Sequence, residues 1–215
     1  MKGNFEKCLA LTLKHEGGWA DHPSDPGGAT MKGITIGTYR AWKGRAVTKA
    51  ELRAISDAEV AAIYRQNYWN VVTGDDLPVG LDFVAFDAAV NSGPSRGAKW
   101  LQEAIGACAD GRIGPASIQR AHEVEPTAAI NNACDLRFGF VRSLKTWGTF
   151  GRGWTSRIED VRANALAMAM AATSRPGVDD TVPPPSVSAA APGRVGIIGI
   201  TMALGVAASA LLGGR

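Results

Sequence analysis

Apolar positions recur at helical spacing through most of the first 172 residues. Phe5, Cys8, Leu9, Thr12 and Leu13 fall on one face of a first helix, which Gly17-Gly18 is expected to stop after Glu16. Residues 19–38 break this rhythm with Gly, Pro and Asp, and contain one β-prone stretch, Ile34-Thr35-Ile36. Ser56-Asp57-Ala58-Glu59 has the pattern of a capping box and opens a helix predicted to run to about Trp69. Further helices are expected over 81–91, 94–105, 114–122, 127–144 and 157–172. The expected fold class is mostly α, with a small β-hairpin near residues 19–38.

The pattern changes after residue 172. Residues 173–194 carry Pro176, Pro183, Pro184, Pro185 and Pro192, the composition of an extended, semi-rigid spacer. Residues 195–212 then run without a charge between Arg194 and Arg215. As a helix this segment is about 27 Å long, close to one hydrocarbon core. It is expected to be a single C-terminal transmembrane helix, only weakly hydrophobic because of its Gly and Ala content. The N-terminal apolar run is interrupted by Glu6, Lys7 and Lys14 and does not read as a signal peptide.

Composition narrows the classes of function. The chain has 215 residues, with 23 Lys+Arg against 20 Asp+Glu, and a formal charge of +3 is too weak to argue for nucleic acid. Cys8, Cys108 and Cys134 have neither metal-ligand spacing nor a disulfide framework, and Cys108 and Cys134 are expected to be buried thiols. His15, His22 and His122 offer no His-x-x-x-His pair, and only His22 and Asp25 lie close in sequence. No metal or cofactor is therefore expected.

The stretch from His15 to Thr30 is the most informative one. Glu16 is placed at a helix end, where the negative pole of the helix disfavours an ionised carboxyl, and shielding by Trp19 would act the same way. A carboxyl that carries a proton near neutral pH is what a general acid for glycosidic cleavage requires. Asp25 lies nine residues on and Thr30 five beyond it, across a Pro/Gly-rich turn. Asp25, with Asp21 as its rival, is either a second carboxylate or a turn former, and Thr30 either orients a water or is structural. Tyr64 and Tyr68 share one helix face, so Tyr68 and Trp69 are either cleft-lining rings that stack on sugars or core residues.

The Glu–Asp–Thr order resembles the phage-type lysozyme signature, with one residue fewer between Asp and Thr. The block EGGWADHPSDPGGATMKGIT is a closer match. It resembles the N-terminal motif of the glycoside hydrolase 108 family, phage and prophage N-acetylmuramidases that act on peptidoglycan. The resemblance extends through Tyr39, Trp42 and the YRQNYW segment at 64–69, covering about residues 5–90. It implies a lysozyme-like catalytic domain over residues 1–90 with Glu16 as the acid; Asp25 and Thr30 are the candidate catalytic partners, and Trp19, Tyr68 and Trp69 the candidate rings against substrate.

LQEAIGACADGRIGPASIQ, beginning at Leu101, looks like the LQ…DG-x-x-G-P motif of helical peptidoglycan-binding domains. Physically it is a helix, a tight Asp-Gly turn, and a second helix opened by Pro115. The resemblance implies a wall-binding unit over residues 91–172. The expectation is thus a phage- or prophage-encoded endolysin that binds bacterial peptidoglycan and sits at the periplasmic face of the inner membrane through its C-terminal helix. Three rivals remain at this level: a lytic transglycosylase, a metal-dependent amidase or peptidase, and a non-catalytic wall-binding membrane protein.

Overall fold

A computed structural model of the protein describes residues 3–22 and 27–174. Asp25, the spacer beyond residue 174 and the apolar segment 195–212 lie outside the described residues. Among the described residues, no helix is long and apolar enough to cross a membrane. The fold is mostly helical, with one two-stranded sheet.

The N-terminal half holds α1 (Phe5–Leu13), β1 (Thr30–Met31), β2 (Ile34–Thr35), α2 (Ile36–Lys43), α3 (Lys49–Arg53) and α4 (Asp57–Tyr64). β1 and β2 pair antiparallel, Thr30 opposite Thr35 and Met31 opposite Ile34. Their two-residue turn is Lys32-Gly33, with φ of 49° and 74°. Positive φ at both positions suits the right-handed twist of a tight hairpin. The capping box at Ser56 is formed: Ser56 accepts from the Glu59 amide, and Glu59 accepts from the Ser56 amide. Thr48 and Glu51 form a second one, which opens α3. After Tyr64 the helix widens into a π-helical turn, Arg65–Trp69.

Helix α5 (Leu81–Ser92) organises the rest of the molecule. Every residue from Leu81 to Val90 is buried, so this helix is enclosed on all sides. It packs against α6 (Pro94–Ala104), α8 (Pro126–Arg142), α9 (Trp147–Thr173) and α1. Gly97 of α6 permits a close approach to α5, because a Cβ there would lie 2.8 Å from the Ala89 nitrogen. α7 (Pro115–Glu123) completes the described helices. Buried apolar residues from Phe5 to Ala169 form one cluster. The expected boundary between residues 90 and 91 falls inside α5, and residues on both sides of it share that core.

Three expectations are corrected here. α1 ends at Leu13, not Glu16, and the chain tightens into i→i−3 bonds from Lys14, His15 and Glu16 to Leu11, Thr12 and Leu13. Cys108 is exposed in the loop after α6, whereas Cys8 and Cys134 are buried. The last helix begins ten residues before the expected 157, at Trp147.

Candidate active site

Glu16 leaves α1 through that tightened turn and points toward the middle of the molecule. Its side chain is 14% exposed, and Oε1 accepts a hydrogen bond of 2.9 Å from Nη1 of Arg157. Arg157 is on α9, far away in sequence. The same guanidinium donates through Nη2 to Oδ1 of Asp87 at 2.8 Å and through Nε to both Asp87 oxygens at 3.1 and 3.2 Å. Asp87 belongs to α5, is fully buried, and also accepts from Arg137 of α8 at 2.7 Å and from Thr12 of α1 at 3.2 Å. Four helical segments therefore meet at one carboxylate, with Glu16 at the solvent-facing end of the chain of charges.

The electrostatics of this chain are balanced. Burial alone would raise the Asp87 carboxyl, but the Arg157 and Arg137 charges outweigh it and hold the group well below the usual carboxylate range. Burial opposes the charge on Arg157, while Asp87 and then Glu16 restore it and leave the guanidinium firmly protonated. Two arginines face two carboxylates, so the buried group carries no net charge when all four are ionised.

Two further elements close on Glu16. The hairpin turn lies against its second oxygen: a Cβ on Gly33 would stand 2.8 Å from Oε2 and 2.5 Å from the Tyr64 hydroxyl. Tyr64, almost fully buried, donates to the carbonyl of Lys32 at 2.9 Å and so ties α4 to the turn. Burial and then the Glu16 charge push the Tyr64 phenol well above its ordinary value. The same two causes push Tyr68 up to about 12. Tyr68 packs on Tyr64 with ring centroids 5.5 Å apart. Beside Glu16, His15 pairs with Asp160 at 2.9 Å, one helical turn after Arg157.

The candidates from the sequence separate against this geometry. Glu16 and Tyr68 share the site. Trp19 turns its ring to the Arg53 guanidinium, 5.5 Å from the ring centroid. Glu16 thus has a cationic partner where the sequence suggested an apolar shield and a helix pole. Thr30 is buried in β1 and its hydroxyl donates to the Gly28 carbonyl at 3.3 Å, a bond within the hairpin arm. Trp69 is corrected from a cleft residue to a core residue: it has no exposed surface and packs edge-on against Phe5 and Phe86. Asp21 is paired with Lys49 at 2.9 and 3.0 Å. Sequence reasoning missed Arg157, Asp87 and Arg137, and named Tyr64 without giving it a role. Charged residues inside a mostly apolar helix, Asp82 and Asp87 in LDFVAFDAAV, were the available signal, because such residues need buried partners.

The LQ…DG-x-x-G-P run has a structural account. Gln102 is buried and donates to Asp110, to the Arg112 carbonyl and to Ser117, while its own carbonyl accepts from the Gly111 amide. One amide thereby organises the turn and the start of α7. Among the described residues no group of three His, Cys, Asp or Glu is placed to hold a metal ion.

A helical scaffold that buries charged partners behind one accessible carboxyl, beside a tyrosine and a glycine turn, can present that carboxyl to a bound substrate. Residues 9–93 match the family Glycosyl hydrolase 108. Among solved structures, SagA of Brucella abortus is similar over 79% of this chain and 97% of that chain, with 46% sequence identity and a TM-score of 0.70. No curated protein matches. The chain belongs to the glycosyl hydrolase 108 family, and this membership carries peptidoglycan as the implied substrate.

Proposed function

We propose that the protein is an N-acetylmuramidase that cleaves the β-1,4 bond between N-acetylmuramic acid and N-acetylglucosamine, with Glu16 as general acid. The observation that carries this reading is the placement of Glu16: partly exposed, fixed by Arg157, and faced by a turn that has no side chain at Gly33. Protonation of the glycosidic oxygen by Glu16 makes the leaving group viable as positive charge develops on the sugar. Asp25 is proposed as the second carboxylate, and Tyr68 as a ring against the sugar face. Thr30 keeps a proposed part in placing water, its hydroxyl oxygen remaining able to accept.

Wall affinity of the helical half, which the Gln102-centred motif implies by resemblance, belongs to the same proposal. So does tethering of a phage- or prophage-type lysis enzyme to the inner membrane by residues 195–212. The test is digestion of purified peptidoglycan by the wild type and by Glu16→Gln, which keeps the side-chain shape but has no acid proton. The wild type should release reducing muramic acid ends and the variant almost none. An anhydro end in the wild-type products would assign the lytic transglycosylase reaction to the same residue instead.

A further inference from the structure

We infer that Arg157 is a positioning residue that fixes which oxygen of Glu16 carries the catalytic proton, making helix α9 a working part of the active site. The inference rests on Glu16 as the acid and adds what holds that acid in register.

A guanidinium has only donors. Because Nη1 of Arg157 donates to Oε1 of Glu16 at 2.9 Å, Oε1 is committed as an acceptor. A proton on Oε1 would share that oxygen with the positive N–H group of Arg157 and weaken the charge-assisted bond, which favours the other oxygen. The acid proton therefore resides on Oε2, the oxygen that faces the hairpin turn at Gly33. Glycine at position 33 keeps that oxygen clear of a side chain, since a Cβ there would stand 2.8 Å from it. Arg157 cannot follow Glu16 if the carboxyl rotates, because its Nε and Nη2 are held by the buried Asp87, itself held by Arg137 and Thr12. Asp160, one turn along α9, grips His15 in the same way, so two consecutive residues of the loop after α1 are clamped by one helix.

In the reaction the proton passes from Oε2 to the glycosidic oxygen, and the electron pair of the breaking C1–O bond goes to that oxygen. Water supplies the hydroxyl at C1 and releases a proton. The Glu16 carboxylate left behind keeps its Arg157 partner throughout, so the charge formed there is met without reorganisation.

The test compares kcat and KM on purified peptidoglycan for the wild type, Glu16→Gln, Arg157→Ala and Arg157→Lys, each checked for folding by circular dichroism and thermal unfolding. Arg157→Ala should lose about 100-fold or more in kcat with KM changed less than about threefold, the pattern of a misplaced catalytic group. Low millimolar guanidinium should restore about tenfold of that loss in Arg157→Ala and nothing in Glu16→Gln. Arg157→Lys keeps the charge without the fork, so it should remain folded with kcat reduced about tenfold or more. A folded Arg157→Ala with kcat within about threefold of wild type, or one unmoved by guanidinium, overturns the inference. If Arg157→Ala does not fold, Arg157→Lys decides it: wild-type kcat in that variant overturns the inference. An active Glu16→Gln would instead overturn the underlying reading, whatever the arginine variants do.

Discussion

Gly33 has φ of 74° and space for no side chain, since a Cβ there would collide with the Tyr64 hydroxyl and stand 2.8 Å from Glu16 Oε2. Gly33→Ala combines left-handed strain of about 1–3 kcal/mol with displacement of the Glu16 carboxyl, the proposed acid. It should lower kcat far more than it lowers the melting temperature, measured on the same preparation. A variant with full activity would show that the turn and the carboxyl do not share this space. Asp87 makes a different prediction, because it is wholly buried between two arginines. Asp87→Asn leaves two guanidinium groups short of a counter-charge and should cost about 3–5 kcal/mol of stability, read by denaturant unfolding. The sign of its pH dependence follows from the direction of the shift. A carboxyl held below its unfolded value contributes fully above the unfolded pKa, about 3.9, and loses that contribution as pH falls below it. Wild-type stability should thus fall steeply below about pH 4, and that part of the slope should be missing in Asp87→Asn.

At the scale of elements, the legible features were those set by local chemistry. The Ser56–Glu59 capping box, Pro115 at the start of α7 and the apolar run of α5 all appear where the chain pattern put them. Ser56→Ala should cost about 1 kcal/mol, visible as a small drop in melting temperature without loss of activity. What was not legible was decided by contacts distant in sequence. The segment WGTFGRGW reads as a loop because of its three glycines. It is helical because Trp147, Phe150 and Trp154 pack on one another, with the Trp147 ring lying over Gly151, where a Cβ would be 2.7 Å away. Glu16 stands out in its block as a candidate, yet its partner Arg157 does not, since no local pattern links positions 141 residues apart. Trp69 was misjudged for a related reason: the i, i+4 rule places a ring on a face but does not say whether that face meets solvent or Phe5 and Phe86.

For the whole molecule, the core and the charge network cross the division that the sequence suggested between a catalytic and a wall-binding half. The family match ends at residue 93, whereas α5 is covered by α6, α8 and α9 and Glu16 is held from α9. A chain ending at residue 93 should therefore fail to fold cooperatively, exposing the α5 surface, and should be inactive. A chain ending at residue 174 keeps every described helix and should retain full glycan cleavage. Its partition between membrane and soluble fractions, compared with the full chain, tests the proposed tether at residues 195–212: equal partition would dismiss it.

Glu16 is proposed to donate the proton for cleavage of a muramic acid glycosidic bond. Mass spectrometry of purified peptidoglycan digested by equal amounts of wild type and Glu16→Gln tests this. Fragments ending in reducing N-acetylmuramic acid are expected from the wild type and essentially none from a folded Glu16→Gln. Near-wild-type release of those fragments by Glu16→Gln, or wild-type products cut only within the stem peptide, would contradict it.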